Sequence, residues 1–332
     1  MIVSCYNYAS FIDRAIRSVL DQGRDDCELV VVDDGSTDGS WDIISRFDVT
    51  AFKINNCGQR AACLFGLDQT RAPFVLFLDA DDELKPGALE MIVERLDPEV
   101  AKLQFALTLI DADGNRIGPA ASPLETFRDR KNLTRQVLRS GVYRTPPTSG
   151  NVFRRDVCEL LREAEYDNAV DGVILFAAPL MGDVVSISDE LGCYRIHGSN
   201  DSGLGSGPEA RLLERDIRRF LTRMEHLRLI VERLGLEQQL INPHDAFYCR
   251  ERQLCLDVIS GRRPRLSALP GLLSKLALEP FSAKNKLAMA LFFFLSSVLP
   301  NGRARMLLAY RLKTGQRSAL GLAKTIFGSG AA

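Results

Sequence analysis

The sequence has few of the residues that build a soft-ligand metal centre. It contains three histidines, and its eight cysteines are scattered without any Cys-x-x-Cys pair. A structural zinc site needs four clustered Cys or His ligands, so this scarcity argues against a zinc-binding protein. Several cysteines fall in apolar, strand-like runs, where a free thiol behaves as a small hydrophobic side chain. Such thiols indicate a reducing compartment, and we expect the protein to be cytoplasmic.

Long apolar runs and nucleotide-loop fingerprints are also missing. The longest apolar run, Leu287 to Leu299, has 13 residues, whereas a membrane-spanning helix needs ~20. The chain shows no signal-peptide pattern, and it contains neither G-x-G-x-x-G nor G-x-x-x-x-G-K-[ST]. A dinucleotide site of the Rossmann type and a P-loop are therefore not expected.

The near-neutral net charge of −1 conceals an uneven distribution. Residues 1–200 contain 21 Lys and Arg against 32 Asp and Glu, whereas residues 201–332 contain 21 against 11. The apolar fraction of 46% is ordinary for a folded protein and excludes a disordered or collagen-like chain. Two chemically different parts in one chain indicate an acidic working site and a basic surface for a partner.

The first hundred residues alternate between short apolar runs and helical patterns. Cys27–Asp33 and Phe74–Asp79 are continuous apolar runs that end in acids, which suits strands of a parallel sheet covered on both faces. Helical spacing lies between them, and this alternation predicts an α/β fold. Further strands are expected at 101–109, 184–188 and 191–196, and further helices at 58–70 and 86–96.

Carboxylates stand at the end of both apolar runs. Asp33 and Asp34 follow the first, and Asp79, Asp81 and Asp82 follow the second. Ligands of open α/β sheets bind outside the carboxyl ends of the strands. There, a carboxylate can accept hydrogen bonds from ribose hydroxyls or a base N–H, and an acid cluster suits Mg²⁺ or Mn²⁺. The alternatives are a turn with a helix N-cap for the first group and a solvated acidic turn for the second.

Four motifs, taken in order, make the sequence resemble glycosyltransferase family 2, whose members have the GT-A fold. They are Ser4-Cys5-Tyr6-Asn7, Val32–Asp38, Asn56-Cys57-Gly58 and Leu78–Asp82. The resemblance covers roughly residues 1–200. It implies a Rossmann-like, mostly parallel sheet flanked by helices. A nucleotide-binding part at 1–110 and an acceptor-side part at 111–205 would then precede a basic helical region at 206–332.

The same resemblance implies an inverting glycosyltransferase that uses a nucleotide-diphosphate sugar, UDP-linked, together with Mn²⁺ or Mg²⁺. The acceptor is expected to be a glycan or a lipid-linked glycan of bacterial cell-surface polysaccharide synthesis. In the nucleotide pocket, Asp34 is the expected uracil contact, and Asp33 is a ribose or structural partner. Ser4 lines the same pocket, and Arg60 either leans over the nucleotide or is an ordinary surface arginine. A catalytically silent module that binds a nucleotide sugar is the alternative function.

The Asp-x-Asp element of the family corresponds to Asp79 and Asp81. Asp79 is expected to hold ribose or sugar hydroxyls beside the metal. Asp81 is expected to coordinate the metal on the diphosphate, with Asp82 as an equivalent candidate. His197 either approaches the metal or is a structural residue at a strand end, and Arg195 is expected to neutralise phosphate charge.

Inverting members of the family need a base that deprotonates the acceptor hydroxyl. Asp171, at the entry to an apolar helical run, is the expected base, and Asp167 is the second candidate. A helix N-cap is the alternative role for Asp171. Val170 stands where many relatives carry an acid, which leaves the choice between the two open. The stretch 145–151 resembles the acceptor-side loop of the family.

The basic C-terminal part carries two helical features. Apolar residues from Leu213 to Leu234 follow a 4-3 spacing over three heptads, which predicts packing against the chain itself or, alternatively, a self-association seam. The run within 284–305 is apolar with basic flanks, which predicts a buried core helix or a peripheral contact with the inner face of the cytoplasmic membrane. Aromatic and basic residues are not interleaved, so no nucleic-acid binding is expected.

Overall fold

The computed structural model of the protein describes residues 1–198, 209–236 and 239–312. The chain divides into two compact units. The first comprises Met1–Leu138, Val142–Ser199 and Glu225–Leu240, and the second comprises Arg139–Gly141, Asn200–Met224 and Ile241–Ala332. The expected domain boundary between residues 205 and 206 lies outside the described residues and stays a prediction.

The first unit is built on a β-sheet. Its strands are β1 (Ile2–Cys5), β2 (Val30–Asp33), β3 (Thr50–Lys53), β4 (Phe74–Asp79), β5 (Glu83–Leu84), β6 (Val100–Ile110), β7 (Phe127–Asp129), β8 (Asn151–Arg154) and β9 (Asp183–Arg195). They follow the order β3-β2-β1-β4-β8-β6-β9-β5, and β7 also pairs with β9.

Helices connect the strands and make up most of the second unit. They are α1 (Ile12–Leu20), α2 (Ser40–Ile44), α3 (Gln59–Asp68), α4 (Ala88–Val93), α5 (Lys131–Ser140), α6 (Arg155–Glu159), α7 (Val173–Met181), α8 (Ala210–Arg233), α9 (Phe247–Ile259), α10 (Leu269–Leu278), α11 (Ala283–Val298) and α12 (Asn301–Leu312). Among the described residues, no helix is long and apolar enough to cross a membrane.

The sheet is parallel in one half and mixed in the other. β1 pairs in parallel with β2 and β4, and β2 pairs in parallel with β3, because helical crossovers join these strands. β8 enters antiparallel between β4 and β6, whereas β6 and β9 are parallel. The predicted α/β architecture is confirmed, and the mostly parallel arrangement holds for its first four strands.

The single strand β9 covers two runs that the sequence pattern predicts as separate strands. The runs at 184–188 and 191–196 form one strand, whose pairing with β6 shifts register between Ile187 and Gly192. The intervening segment is therefore a bulged irregularity within one strand, in which Glu190 lies opposite Ala106 and the register shifts on both sides of it.

Separate apolar clusters lie in the two units. α1 buries Ile12, Ile16 and Val19, which recur at helical spacing, against the β-sheet residues Val3 and Val31. In the second unit, α9 to α12 share a separate core that includes Leu272, Phe293 and Leu308.

The 4-3 seam of the sequence lies on α8. Phe220, Met224, Leu227 and Val231 are buried within the chain itself, whereas Leu234 at the end of the seam is exposed. Buried seam residues cannot also form the contact between two copies. The burial therefore favours packing within the chain, and self-association stays an unsupported alternative.

Candidate active site

The parallel strands bring the predicted nucleotide residues to one edge of the sheet. In the register of these strands, Ser4 lies beside Val32 on one side and beside Asp79 on the other. Asp33 lies beside Cys5 at the same end. Carboxyl ends of parallel strands are where ligands of such sheets bind, so these residues share the expected location.

Asp34 fixes the start of α3. Its Oδ1 accepts the backbone N–H of Cys57 at 2.8 Å, and its Oδ2 accepts that of Gly58 at 2.8 Å. Gly58 has a φ of 89°, a left-handed conformation that favours glycine. A carboxylate at a helix start also complements the helix dipole. Asp34 is buried in this arrangement, and its expected contact with uracil stays a prediction.

Asp33 is fully buried at the end of β2. Its Oδ1 accepts the backbone N–H of Ser36 at 3.3 Å. Its Oδ2 lies 3.8 Å from Lys53 Nζ and, in the described part of the chain, accepts no hydrogen bond. This environment agrees with the structural alternative for Asp33, while a ribose contact remains untested.

Two residues that the sequence reasoning missed contact Asp79. Gln59, the first residue of α3, donates from Nε2 to Asp79 Oδ1 at 2.6 Å. Ser149 Oγ accepts the backbone N–H of Asp79 at 3.1 Å. Gln59 directly follows the Asn56-Cys57-Gly58 motif, so its place beside the site had a signal in the sequence. Ser149 lies in the predicted acceptor-side stretch, but nothing local marks it as a partner of Asp79.

Burial and mutual repulsion dominate the electrostatics of the acid cluster. Burial, followed by the carboxylates of Asp81 and Asp171, raises the pKa of Asp79 well above its ordinary value. Burial, followed by Asp81 and Asp79, raises the pKa of Asp82 in the same direction. The predicted base Asp171 therefore lies close enough to Asp79 for its charge to affect the pKa of Asp79. The fold brings these four carboxylates together.

Arg195 makes several hydrogen bonds to the protein around the acid cluster. The side chain is fully buried, and its backbone N–H donates to Asp82 Oδ1 at 2.9 Å. Its guanidinium donates to the main-chain oxygens of Asp81, Asp111 and Ala112 and to the Glu83 carboxylate. This geometry fits a residue that positions the acidic turn. The expected contact of Arg195 with a diphosphate stays a prediction.

His197 reaches the acid cluster from the strand end of β9. Its Nε2 lies 2.9 Å from Asp81 Oδ2. Its ring packs against Phe11 and Tyr8, with centroids 4.9 and 5.9 Å apart. The imidazole is therefore held against the predicted metal ligand, which agrees with both of its predicted roles.

The acid cluster fits a divalent cation that takes few protein ligands. Among the residues that the structure describes, no group of three or more His, Cys, Asp or Glu side chains forms a metal cage. However, Asp82 Oδ2 is buried without a hydrogen-bond partner in the described part of the chain. Mg²⁺ typically takes one or two carboxylates and completes its shell with water and substrate phosphates. Oxygen donors and an uncompensated buried carboxylate therefore fit Mg²⁺ or Mn²⁺.

The segment with the two candidate bases is tied to the start of α3. Arg60 donates from its backbone N–H to Asn168 O at 2.8 Å and from Nη1 to Leu161 O at 3.0 Å. Asp167 accepts the backbone N–H of Ala169 at 3.1 Å, whereas Asp171 stands two residues before α7. Arg60 thus braces this segment, and the choice between the two acids stays open.

Lys102, on β6, is a fully buried lysine that the sequence reasoning did not single out. Its Nζ lies 2.6 Å from Thr145 Oγ1, 3.0 Å from Gln104 Oε1 and 3.1 Å from Tyr143 OH. Burial lowers the pKa of its amine well below the ordinary value. All three partners are neutral, so nothing at hydrogen-bond distance compensates a positive charge here.

A polar network leads from this lysine to the acid cluster. Thr145 Oγ1 lies 3.1 Å from Asn151 Oδ1, and Asn151 Nδ2 donates to Pro147 O at 2.7 Å. These contacts shape the short 3-10 turn Thr148–Gly150, whose central residue Ser149 contacts Asp79. The buried network therefore supports the turn that borders the acids.

Replacing Lys102 by Met is expected to change the pH dependence of stability. An unfolded lysine has a pKa of ~10.4, and the folded one is lower. Between the two values the unfolded state binds more protons, so wild-type stability gains up to about 1.4 kcal/mol per pH unit as the pH rises. The Met variant lacks this gain, and urea unfolding from pH 7 to 10 should show the two curves diverging. Lys131→Met, at an exposed position, is the control, and parallel curves for Lys102→Met would contradict the lowered pKa.

Comparison with known proteins finds one family model and several relatives that match part of the chain. Residues 1–161 match the model for Glycosyl transferase family 2. An uncharacterised glycosyltransferase of Nostoc sp. is 35% identical over 213 residues, which cover 60% of this chain and 65% of that protein. The GalNAc(5)-diNAcBac-PP-undecaprenol β-1,3-glucosyltransferase of Campylobacter jejuni is 32% identical over 122 residues, 35% of this chain and 39% of that protein. The chain thus spans less than two thirds of the length of these curated relatives.

A solved structure has the same fold. The crystal structure of S. aureus TarS 1-349 in complex with UDP-GlcNAc matches with a TM-score of 0.50 and 18% identity, covering 93% of this chain and 90% of that one. Residues 1–161 thus match glycosyltransferase family 2, and the sheet with its flanking helices has the GT-A fold.

Proposed function

We propose that the protein is a metal-dependent, inverting glycosyltransferase. It transfers a sugar from a nucleotide-diphosphate sugar, UDP-linked, to a hydroxyl of a glycan or lipid-linked acceptor. The observation that carries this proposal is the acid cluster of the buried Asp81 and Asp82 and the partly buried Asp79, with Asp171 beside it, in a domain that matches family 2. Mutual repulsion among these carboxylates destabilises the fold when no ligand is bound. A bound cation would offset this repulsion, which supports a metal at the cluster.

The donor assignment rests on the edge of the sheet. Ser4, Asp33 and Asp34 offer oxygen acceptors for a nucleoside, and Asp79 lies beside Ser4 in the register. TarS, which shares the fold, was crystallised with UDP-GlcNAc. Asp81 and Asp79 would hold Mn²⁺ or Mg²⁺, and the bound cation would offset the charge of the diphosphate.

The transfer proceeds as a single displacement at the anomeric carbon. Asp171 accepts the proton of the acceptor hydroxyl while the acceptor oxygen bonds to the anomeric carbon. The bond from that carbon to the nucleoside diphosphate breaks at the same time, and the configuration inverts. The Asp171 carboxylate is close enough to Asp79 to contribute, after burial and Asp81, to the raised pKa of that residue. Arg195 keeps the acidic turn in place through its main-chain contacts.

The proposal also includes a class of acceptor and a location for the enzyme. The Campylobacter relative is named for an undecaprenol-linked acceptor, which supports a role in bacterial cell-surface polysaccharide synthesis. Such an acceptor is membrane-bound, so we place the enzyme in the cytoplasm at the inner face of the membrane.

Release of nucleoside diphosphate from a panel of UDP-, GDP- and TDP-sugars tests the function. We expect release with one donor in the presence of Mn²⁺ or Mg²⁺ and none with EDTA. Asp81→Asn should lower the rate by at least about 100-fold, because a metal contact supplies several kcal/mol. Asp113→Asn, in an exposed turn, is the control.

Two results would contradict the proposal. Donor binding without turnover, across the panel and with crude lipid and glycan acceptors, would favour the catalytically silent module. Full activity of Asp81→Asn, or activity insensitive to EDTA, would remove the metal from the scheme.

A further inference from the structure

Helix α11 presents an apolar stripe to solvent. Leu287, Leu291 and Phe294 are 73%, 47% and 52% exposed. Their i, i+4, i+7 spacing places them on one face, over ~10 Å of the helix axis. The opposite face contains the buried Phe292, Phe293, Ser296 and Ser297. The helix therefore has an apolar core face and a second apolar face that the described chain leaves uncovered.

The surroundings of this stripe carry charge of one sign. The stretch from residue 262 to residue 312 contains a single acid, Glu279, which is buried. The same stretch contains nine cations: Arg262, Arg263, Arg265, Lys275, Lys284, Lys286, Arg303, Arg305 and Arg311. Two of them pair with acids outside the stretch, namely Arg262 with Asp257 and Arg311 with Glu251. Seven cations remain against one buried acid.

Neighbouring helices add to the exposed apolar area. α11 packs against α10 and α12. α10 exposes Leu273 and Leu278, and α12 exposes Met306. Large exposed apolar patches on soluble proteins mark contact sites. The two helices that contact α11 therefore also expose apolar side chains.

The positive charge around α11 indicates which partner binds this apolar face. A second copy of the same face would bring like charges together, which opposes pairing. An anionic lipid surface offers both an apolar layer and negative headgroups, and α11 is too short to cross it. Each basic residue near such a surface strengthens binding, and salt weakens it.

We propose that α11 docks in the plane of an anionic membrane. Leu287, Leu291 and Phe294 enter the boundary of the acyl chains, and the exposed Lys284 and Arg303 face the lipid phosphates. This inference deepens the expected membrane location by naming the surface and the lipid charge. It stands apart from the proposed catalysis, because membrane binding is measured without turnover.

Co-sedimentation of the full chain with vesicles tests the proposal. We expect binding to vesicles that contain phosphatidylglycerol and none to phosphatidylcholine alone, with loss of binding at high salt. The double variant Leu291→Glu and Phe294→Glu should bind at least about tenfold more weakly, because it loses two apolar side chains from the interface. The pair Lys284→Glu and Arg303→Glu, at two exposed positions, should also reduce binding. Leu229→Glu, at a leucine of α8 that is 49% exposed, is the matched control.

Circular dichroism and size-exclusion chromatography of each variant separate misfolding and dimerisation from lost binding. Equal binding of the wild type and the Leu291/Phe294 variant would overturn the proposal. Equal binding to neutral vesicles would overturn it as well, as would a wild-type dimer that this variant dissolves.

Discussion

Replacing Asp171 by Asn is expected to lower the rate of sugar transfer by about 100- to 10,000-fold, the range of general base catalysis. The amide cannot accept the proton of the acceptor hydroxyl, whereas its size and shape are those of the carboxylic acid. Donor binding should survive, because Asp171 is not among the residues that are expected to bind the nucleotide. Steady-state kinetics with the true acceptor and calorimetric titration of the donor measure the two effects separately.

The same substitution should also stabilise the ligand-free protein. The Asp171 carboxylate helps to raise the pKa of Asp79, and an acid with a raised folded pKa loses stability as the pH rises through that value. Without the charge at 171, the pKa of Asp79 falls towards its ordinary value and the loss at neutral pH shrinks. Asp167→Asn is the control, since its carboxylate is not among the causes of this shift. Wild-type transfer by Asp171→Asn, with a large loss in Asp167→Asn, would move the base to Asp167.

Replacing Arg195 by Met is expected to destabilise the fold by about 3–5 kcal/mol, as when one partner of a buried ion pair is removed. The variant leaves the Glu83 carboxylate and three main-chain oxygens without their donor. Urea unfolding measures the loss. Arg116→Met is the matched control, because Arg116 also pairs with a glutamate, Glu190, but at an exposed site where an ion pair contributes at most about 1 kcal/mol.

This experiment also separates two roles of Arg195. If Arg195 positions the acidic turn, Arg195→Met should lower both the free energy of unfolding and the affinity for the donor. If Arg195 serves only as a phosphate ligand, Arg195→Met should leave the unfolding curve unchanged and weaken donor binding alone. The second pattern would contradict the positioning role and restore the prediction made from the family resemblance.

Local pattern was enough to locate the strand ends that carry the acids. β4 has the predicted bounds, because a continuous apolar run that ends in acids has one interpretation in an α/β sheet. Element starts were less certain. The helix expected from Pro86 begins at Ala88, because Gly87 adopts a left-handed φ of 76° and interrupts it.

Contacts between distant parts of the chain had no local signal. Ser149 meets Asp79 across 70 residues, and Lys102 meets Thr145 across 43. A lysine within an apolar strand and a serine in a turn are common. The pairing of β8 with both β4 and β6 brings each of them to its partner. The antiparallel insertion of β8 was missed for the same reason, since strand order depends on the whole sheet.

One carboxylate oxygen of Asp82 is buried without a hydrogen-bond partner among the described residues, so the thermal stability of the protein should report whether its site is occupied. Ligands that bind only the folded state raise its melting temperature, and a cation with its nucleotide would also relieve the repulsion among the acids. The heat resistance of the purified chain then ranks candidate donors before any acceptor is known. A feature that weakens the empty protein thereby becomes a means of finding its substrate.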